Sequence, residues 1–138
     1  MSTFLLEIVT PERLVFSEQV DRLIATGVEG ELGILAGHIP TVTPLKVAPL
    51  TFQAGGKRST FAIQGGFLEV RPDKVVVLAE SAERANDIDV ERARAAKERA
   101  ERRLGNRSSQ DHVDFRRAEL ALQRAMNRIK VSSSGENR

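Results

Sequence analysis

The apolar residues of this 138-residue chain change their spacing once, and that change limits the folds open to it. Up to about Glu80 they come in short runs: "FLLEIVT", "ERLVF", "DRLIATG", "STFAIQGGFLEV" and "KVVVLAE". Such runs are rich in β-branched residues and bounded by glycine, proline or charge, which suits strands of a sheet. Beyond Ala82, alanine and leucine recur every three or four residues, the period of a helix with one apolar face. The predicted class is therefore α+β. An N-terminal β-sandwich or barrel of short strands spans residues 1–84, and a C-terminal antiparallel two-helix hairpin spans residues 85–138.

Local punctuation sharpens this outline. "QAGGKR" supplies a Gly-Gly hairpin turn, and "RPDK" places Pro72 where a type I turn accepts its fixed φ. Gly65-Gly66 inside a strand pattern predicts a bulge or a close backbone approach. Asp87 or Asp89 is suited to cap the first helix, which runs to about Leu104. "GNRSSQD" is the connection, the second helix begins near Ser109 or Asp111, and "SSSGENR" reads as a frayed tail.

The net charge of +2 hides an asymmetry at the same boundary. Residues 1–82 carry 7 Lys+Arg against 9 Asp+Glu, whereas residues 83–138 carry 14 against 10, so the basic character belongs to the hairpin. At 100° per residue, Ala93, Ala96, Ala100 and Leu104 form a narrow apolar stripe, with Arg92, Arg99 and Arg103 a quarter turn to one side. The second helix repeats the scheme, with Phe115, Ala118, Leu122, Ala125 and Ile129 as the stripe and Arg117, Arg124 and Arg128 on its flank. Stripe against stripe in antiparallel sense, both arginine rows reach the same face of the hairpin. The other side of the first helix mixes signs, with Glu91, Glu98 and Glu101 beside Arg94 and Arg102, and Glu98 and Arg102 at pairing distance. Converging guanidinium groups with few carboxylates suit a di- or triphosphate, which they bind bidentately. Arginines flanking a helix seam also cover apolar surface with their stems, and the residues alone leave both readings open.

Several functions are disfavoured. The absence of cysteine removes disulfides, thiolate metal sites and a cysteine nucleophile. No apolar run approaches the ~20 residues of a membrane span, and the N-terminus lacks the features of a signal peptide, so none is expected. "GELGILAGHIP" is glycine-rich, yet His38-Ile39 follows Gly37 where a phosphate-binding loop needs Lys and then Ser or Thr. His38 and His112 sit in different halves without metal-ligand spacing, and no G-x-S-x-G elbow occurs. With no Trp and no Tyr, stacking platforms for nucleic acid are missing. A non-catalytic chain that binds no nucleic acid is expected.

"GELGILAGHIP", "GGFLEVRPDKVVVLAESAERANDIDVERA" and "RAELALQRAMNR", in this order, closely resemble the epsilon-subunit family of bacterial F-type ATP synthases, most of all its thermophilic bacilli. The resemblance runs from "VTPERLVF" to "AMNRIKV"; Ala36 stands where a proline is common, and the inter-helix loop is slightly longer. It implies a peripheral subunit on the cytoplasmic face of the bacterial cell membrane, with membrane contact only through the complex. By the resemblance, the β domain docks on the gamma subunit and the c-ring, with Glu31 and His38 of the "GELG…GH" loop as interface candidates. The hairpin would extend toward the catalytic alpha and beta subunits to inhibit ATP hydrolysis, and in its folded-down state bind one ATP, with or without Mg²⁺, as a regulatory ligand. The family's ATP motif is matched by Ile88, Asp89, Arg92 and Ala93, preceded by Glu83, with Arg99, Arg124 and Arg128 as further contacts and Arg103 and Arg117 as neighbours. Asp89, Glu83 and Ala93 would face the base or ribose, and the arginines the phosphates. These arginines are largely those found by helical geometry, which favours the anion pocket. The alternative is a purely structural rotor coupler without nucleotide sensing.

Overall fold

Where the sequence suggests five strands, the computed structural model, which describes residues 2–106 and 112–134, has eight among those residues. They are β1 (Phe4–Val9), β2 (Leu14–Val20), β3 (Arg22–Gly27), β4 (Gly30–Leu35), β5 (Thr41–Ala54), β6 (Lys57–Val70), β7 (Lys74–Ala79) and β8 (Ala82–Arg84). A 3₁₀ turn at Ala85–Asp87 leads to helices α1 (Val90–Gly105) and α2 (His112–Ser134).

The strands form one sheet in the order β2-β1-β7-β6-β5-β3-β4, with β8 also on β6, and β1 and β7 are parallel. The 14-residue strands β5 and β6 pair along their whole length. One end of this ribbon joins β7, while the other joins β3 and β8, so the sheet folds over into a two-layer sandwich. Between the layers, Leu6, Ile8, Leu23, Ile34, Leu50 and Phe61 are essentially free of solvent. Each buries a side chain worth about 1.5–3 kcal/mol. The rings of Phe16, Phe52 and Phe61 lie 4.6–5.9 Å apart, and the Arg84 guanidinium lies 5.0 Å from the Phe61 ring centre.

The turn chemistry follows the sequence. Gly55 and Gly56 connect β5 to β6 with φ of 60° and 80°, values that favour glycine. The Arg71 N–H donates to the Lys74 carbonyl at 2.8 Å, closing the turn around Pro72.

Three strands had no clear signal. Strand β5 contains Pro44 and Pro49, which argue against a central strand. Pro49 falls inside the stretch where the β5–β3 register breaks, so its missing N–H interrupts no regular ladder there. Strand β4 corrects the reading of "GELG" as loop: Glu31 lies on this edge strand opposite Thr26. Strand β8 is too short to show a period.

The hairpin also departs from expectation in detail. Asp89, not Asp87, is the cap: its Oδ1 accepts from the Arg92 N–H at 3.0 Å, while Asp87 ends the 3₁₀ turn. Helix α2 continues through Ser132–Ser134, where a frayed tail is expected. Each serine hydroxyl donates to the carbonyl three residues back, at 2.8, 3.0 and 2.7 Å. The proposed start at Ser109 or Asp111 lies outside the described residues, as does much of the inter-helix loop. Ala93, Ala100, Ala118 and Ala125 are buried in the seam, so the helices approach closely at four methyl groups. On the outer side of α1 the ion pair is Glu91–Arg94 at 3.1 Å; Glu98 and Arg102 do not pair.

Helix α2, rather than α1, carries the contact with the sandwich. Val131 is fully buried against Ala62, Ala85 and Ile88. The Asn127 Nδ2 donates to the Ile63 carbonyl at 3.2 Å, and Arg128 pairs with Glu83. This contact is small and partly polar, unlike the sandwich core.

Candidate functional site

Strand alternation builds the floor of the site. In β6, Phe61 and Ile63 point into the sandwich core, so Ala62 and Gln64 point outward beneath α2. Glu83 of β8 pairs with Ala62 and shares that outer face. Helix α2 crosses above and presents the flank that carries Arg124 and Arg128. The Arg128 Nε donates to Glu83 Oε1 at 2.7 Å and its Nη2 to Glu83 Oε2 at 3.0 Å, a two-pronged pair with both side chains about one-quarter exposed (19% and 32%).

Beside this pair lies a cavity of about 410 Å³ lined by Gln64, Glu80, Ser81, Glu83, Arg124 and Arg128. Its volume falls within the range of small-molecule sites. Arg124 is exposed and has no ion-pair partner among the described residues. The same holds for Arg92, Arg99, Arg103 and Arg117. With Ala93 and Ala100 turned into the seam, the α1 arginines lie on the same side of the hairpin as Arg124 and Arg128. On the hairpin side the cavity is walled by α2, and no α1 arginine lines it. Along α1, Arg99 lies roughly 10 Å beyond Arg92 at 1.5 Å per residue.

Two expected ligand contacts look different in the folded chain. Ala93 is 0% exposed and Ile88 only 7%, so both side chains are spent on packing in this conformation. Ala93 therefore does not turn its methyl group toward a base or ribose. Asp89 is committed to its cap. Replacing it with alanine is expected to destabilise the hairpin by about 1 kcal/mol, read as faster hydrogen exchange at the Arg92 amide; unchanged exchange would exclude the capping role.

Glu31 and His38 are not brought together. Glu31 sits exposed near the start of β4, and His38 lies beyond its other end, with its N–H donating to the Leu35 carbonyl at 3.1 Å. A surface that no sequence signal marked lies elsewhere on the sandwich. Pro44, Phe67, Leu78, Val9 and Leu14 are cross-strand partners in succession, forming one apolar row over five strands. Phe67 and Leu14 are each 53% exposed and Leu78 48%, an unusual amount of adjacent apolar surface. Among the described residues no group of three or more metal-ligating side chains occurs, and no helix is long and apolar enough to cross a membrane.

Residues 3–85 match the family model for the ATP synthase delta/epsilon chain β-sandwich domain, and residues 86–133 match the model for its long α-helix domain. The chain belongs to the ATP synthase delta/epsilon chain family. It is 56% identical to an ATP synthase epsilon chain of Desulforamulus reducens over 92% of this chain and 95% of that one. Identity to the epsilon chain of Bacillus mycoides is 53%, over 96% and 98% of the two chains. Among solved structures, a chain of the Euglena gracilis mitochondrial ATP synthase (OSCP/F1/c-ring, rotational state 1) superposes with a TM-score of 0.80 at 28% identity, over 92% of this chain and 79% of that one. A central stalk/c-ring structure from Tetrahymena thermophila shares the fold, with a TM-score of 0.61 at 16% identity over 95% and 97% of the chains. The family is that of the delta/epsilon chain and not of a catalytic subunit, and the chain is accordingly non-catalytic.

Proposed function

We propose that this chain is the epsilon subunit of an ATP synthase central stalk and that its hairpin is a nucleotide-responsive element. The sandwich fastens the gamma subunit to the c-ring, and the apolar row through Phe67 and Leu78 gives it a face suited to a permanent protein partner. The peripheral position at the cytoplasmic face of the membrane follows from that assembly.

The cavity between α2 and the outer face of β6 and β8 carries the nucleotide reading. Arg124 and Arg128 line it, Arg92 and Arg99 share its side of the hairpin, and several of these guanidinium groups lack a carboxylate partner among the described residues. A triphosphate supplies the missing charge. It touches both α2 and the sandwich, so it favours the folded-down hairpin over any extended one in proportion to its differential affinity. At 100 times its dissociation constant the ligand adds ~2.7 kcal/mol to that state. The small hairpin–sandwich contact makes such a bias sufficient to move a nearly balanced equilibrium. Loss of ATP would then release α1 and α2 toward the catalytic alpha and beta subunits, where their arginines oppose ATP hydrolysis.

Calorimetric titration of the whole chain with ATP tests this reading. Saturable binding is expected, weakened about tenfold in Arg124→Ala, the loss of one charge-assisted hydrogen bond. Arg124 is the informative position because, unlike Asp89 and Ala93, it has no structural duty in the fold. A wild-type chain that does not bind ATP leaves the structural coupler as the function. That second reading draws on one observation: Arg128 already has its charge matched by Glu83 without a ligand.

A further inference from the structure

Helix α2 has a second flank over the sandwich, turned away from the one that carries Arg124 and Arg128. A cavity of about 510 Å³ opens there, with Met126 and Lys130 of α2 on one wall and Ile24 and Thr51 of the sheet on the other. A cavity of about 320 Å³ shares Ile24, Glu31 and Thr51 with it and continues to Arg22 and Arg58. The two are neighbouring parts of one groove. No residue of it belongs to the cavity lined by Arg124 and Arg128.

Strand register sets the chemistry of this groove. Arg22, Gln53 and Arg58 are successive cross-strand partners on β3, β5 and β6, so their side chains stand in one row on the outer face. At about 4.8 Å per strand the two arginine backbones lie roughly 10 Å apart, and both guanidinium groups can reach one carboxylate held above Gln53. Arg22, Arg58 and Lys130 are exposed and have no ion-pair partner among the described residues. Against these three cations the walls hold a single carboxylate, Glu31. Beside the row, Ile24 on the sheet is 43% exposed and Met126 on the helix 51%, so each wall offers a large apolar side chain.

An occupant that matches these walls brings apolar surface and negative charge together. Small-molecule sites enclose most of their ligand, whereas half-exposed walls leave one side of an occupant in water. A segment of a folded partner has that side covered by its own protein. We propose that the groove docks an acidic, apolar segment of a protein partner, with its apolar side chain between Ile24 and Met126 and its carboxylates on Arg22 and Arg58. Such a partner touches α2 and the sandwich at once, so it favours the docked hairpin. The inference does not depend on the nucleotide reading, and the apolar row through Phe67 belongs to the other layer of the sandwich.

The test uses the full chain and three end-capped peptides: Glu-Glu-Leu-Leu-Glu-Glu, its counterpart with lysine for glutamate, and its counterpart with serine for leucine. At low salt the first is expected to bind at least tenfold more tightly than the other two. Arg22→Ala and Arg58→Ala are each expected to weaken it about threefold, the effect of one exposed ion pair. Ile24→Ser should weaken it too, while Arg94→Ala, on the outer side of α1, should not. Bound peptide is also expected to slow hydrogen exchange along α2. Equal binding of the lysine or the serine peptide overturns the inference, because the site then lacks the paired chemistry. A loss in Phe67→Ser but not in Ile24→Ser places the peptide on the apolar row instead. Binding that leaves α2 exchange unchanged shows that the two walls do not act together, and a wild type that binds none of the peptides ends the proposal.

Discussion

Gly66→Ala is expected to remove about 3 kcal/mol or more of stability and to leave the sandwich largely unfolded at moderate temperature. A Cβ at this position would stand 2.0 Å from the Leu78 carbonyl oxygen and 2.9 Å from the Ala79 Cα. Both obstacles are backbone atoms of β7, the strand that Gly66 pairs with. No rotamer change relieves such a clash, so β6 and β7 must part at the point where the ribbon passes from one layer to the other. The φ of 138° adds strain for any residue with a side chain. Gly55→Ala serves as the comparison: its φ of 60° is also positive, but a Cβ there meets nothing within 4 Å. About 1 kcal/mol is expected from that substitution. Equilibrium denaturation of both variants is the measurement. Similar losses would mean that backbone conformation alone matters at Gly66 and that the close approach does not.

Arg128→Ala is expected to loosen the hairpin while leaving the sandwich intact. The side chain ties α2 to β8 through two hydrogen bonds to Glu83, and its removal leaves a half-buried carboxylate without a partner. Buried pairs cost several kcal/mol to break; the partial exposure here reduces that to roughly 1–2 kcal/mol. At the upper end this is about a thirtyfold change in the ratio of docked to undocked hairpin. Hydrogen exchange separates the two parts: amides of α2 should lose protection while those of β6 and β7 keep theirs. A double-mutant cycle with Glu83→Gln should show coupling of about 1 kcal/mol. Simple additivity would mean that the pair does not hold the hairpin down, and that Val131 and Asn127 do so alone.

The ion pair also bears on how a ligand enters. In the ligand-free chain Arg128 serves Glu83, so a phosphate that recruits Arg128 must share or replace that carboxylate. Under the proposed nucleotide reading, that exchange would lower apparent affinity and couple the state of the cavity to the seating of α2. A salt titration of ATP binding in wild type and Arg128→Ala would expose that competition.

The seam was legible because helical periodicity is local: Ala93, Ala100, Ala118 and Ala125 are buried as their spacing predicts. Gly66 carried a correct warning of close approach, and Pro72 and Gly55-Gly56 marked their turns. Strand β5 was hidden by its two prolines, whose missing N–H groups matter only relative to a neighbour, and that neighbour comes from elsewhere in the chain. Taking Glu31 for a loop residue had a similar cause, since "GELG" lacks the apolar alternation of a strand and its pairing with β3 is not a local property. Ile88 and Ala93 matched a motif, but sequence similarity does not say whether a side chain faces a ligand or the core.

Chemistry carried by neighbours in sequence, such as helix period, caps, turns and the side on which the arginines fall, was fixed by the chain itself. The apolar row through Pro44, Phe67, Leu78, Val9 and Leu14 exists only because five strands align in register. Likewise, Gln64 acquired a buried, unpartnered oxygen, and Glu83 its arginine, only when α2 lay across β6 and β8. Those features depend on packing between segments about 45 to 65 residues apart (Glu83 to Arg128, Ile63 to Asn127), and no local preference specifies which distant surface will cover a given residue.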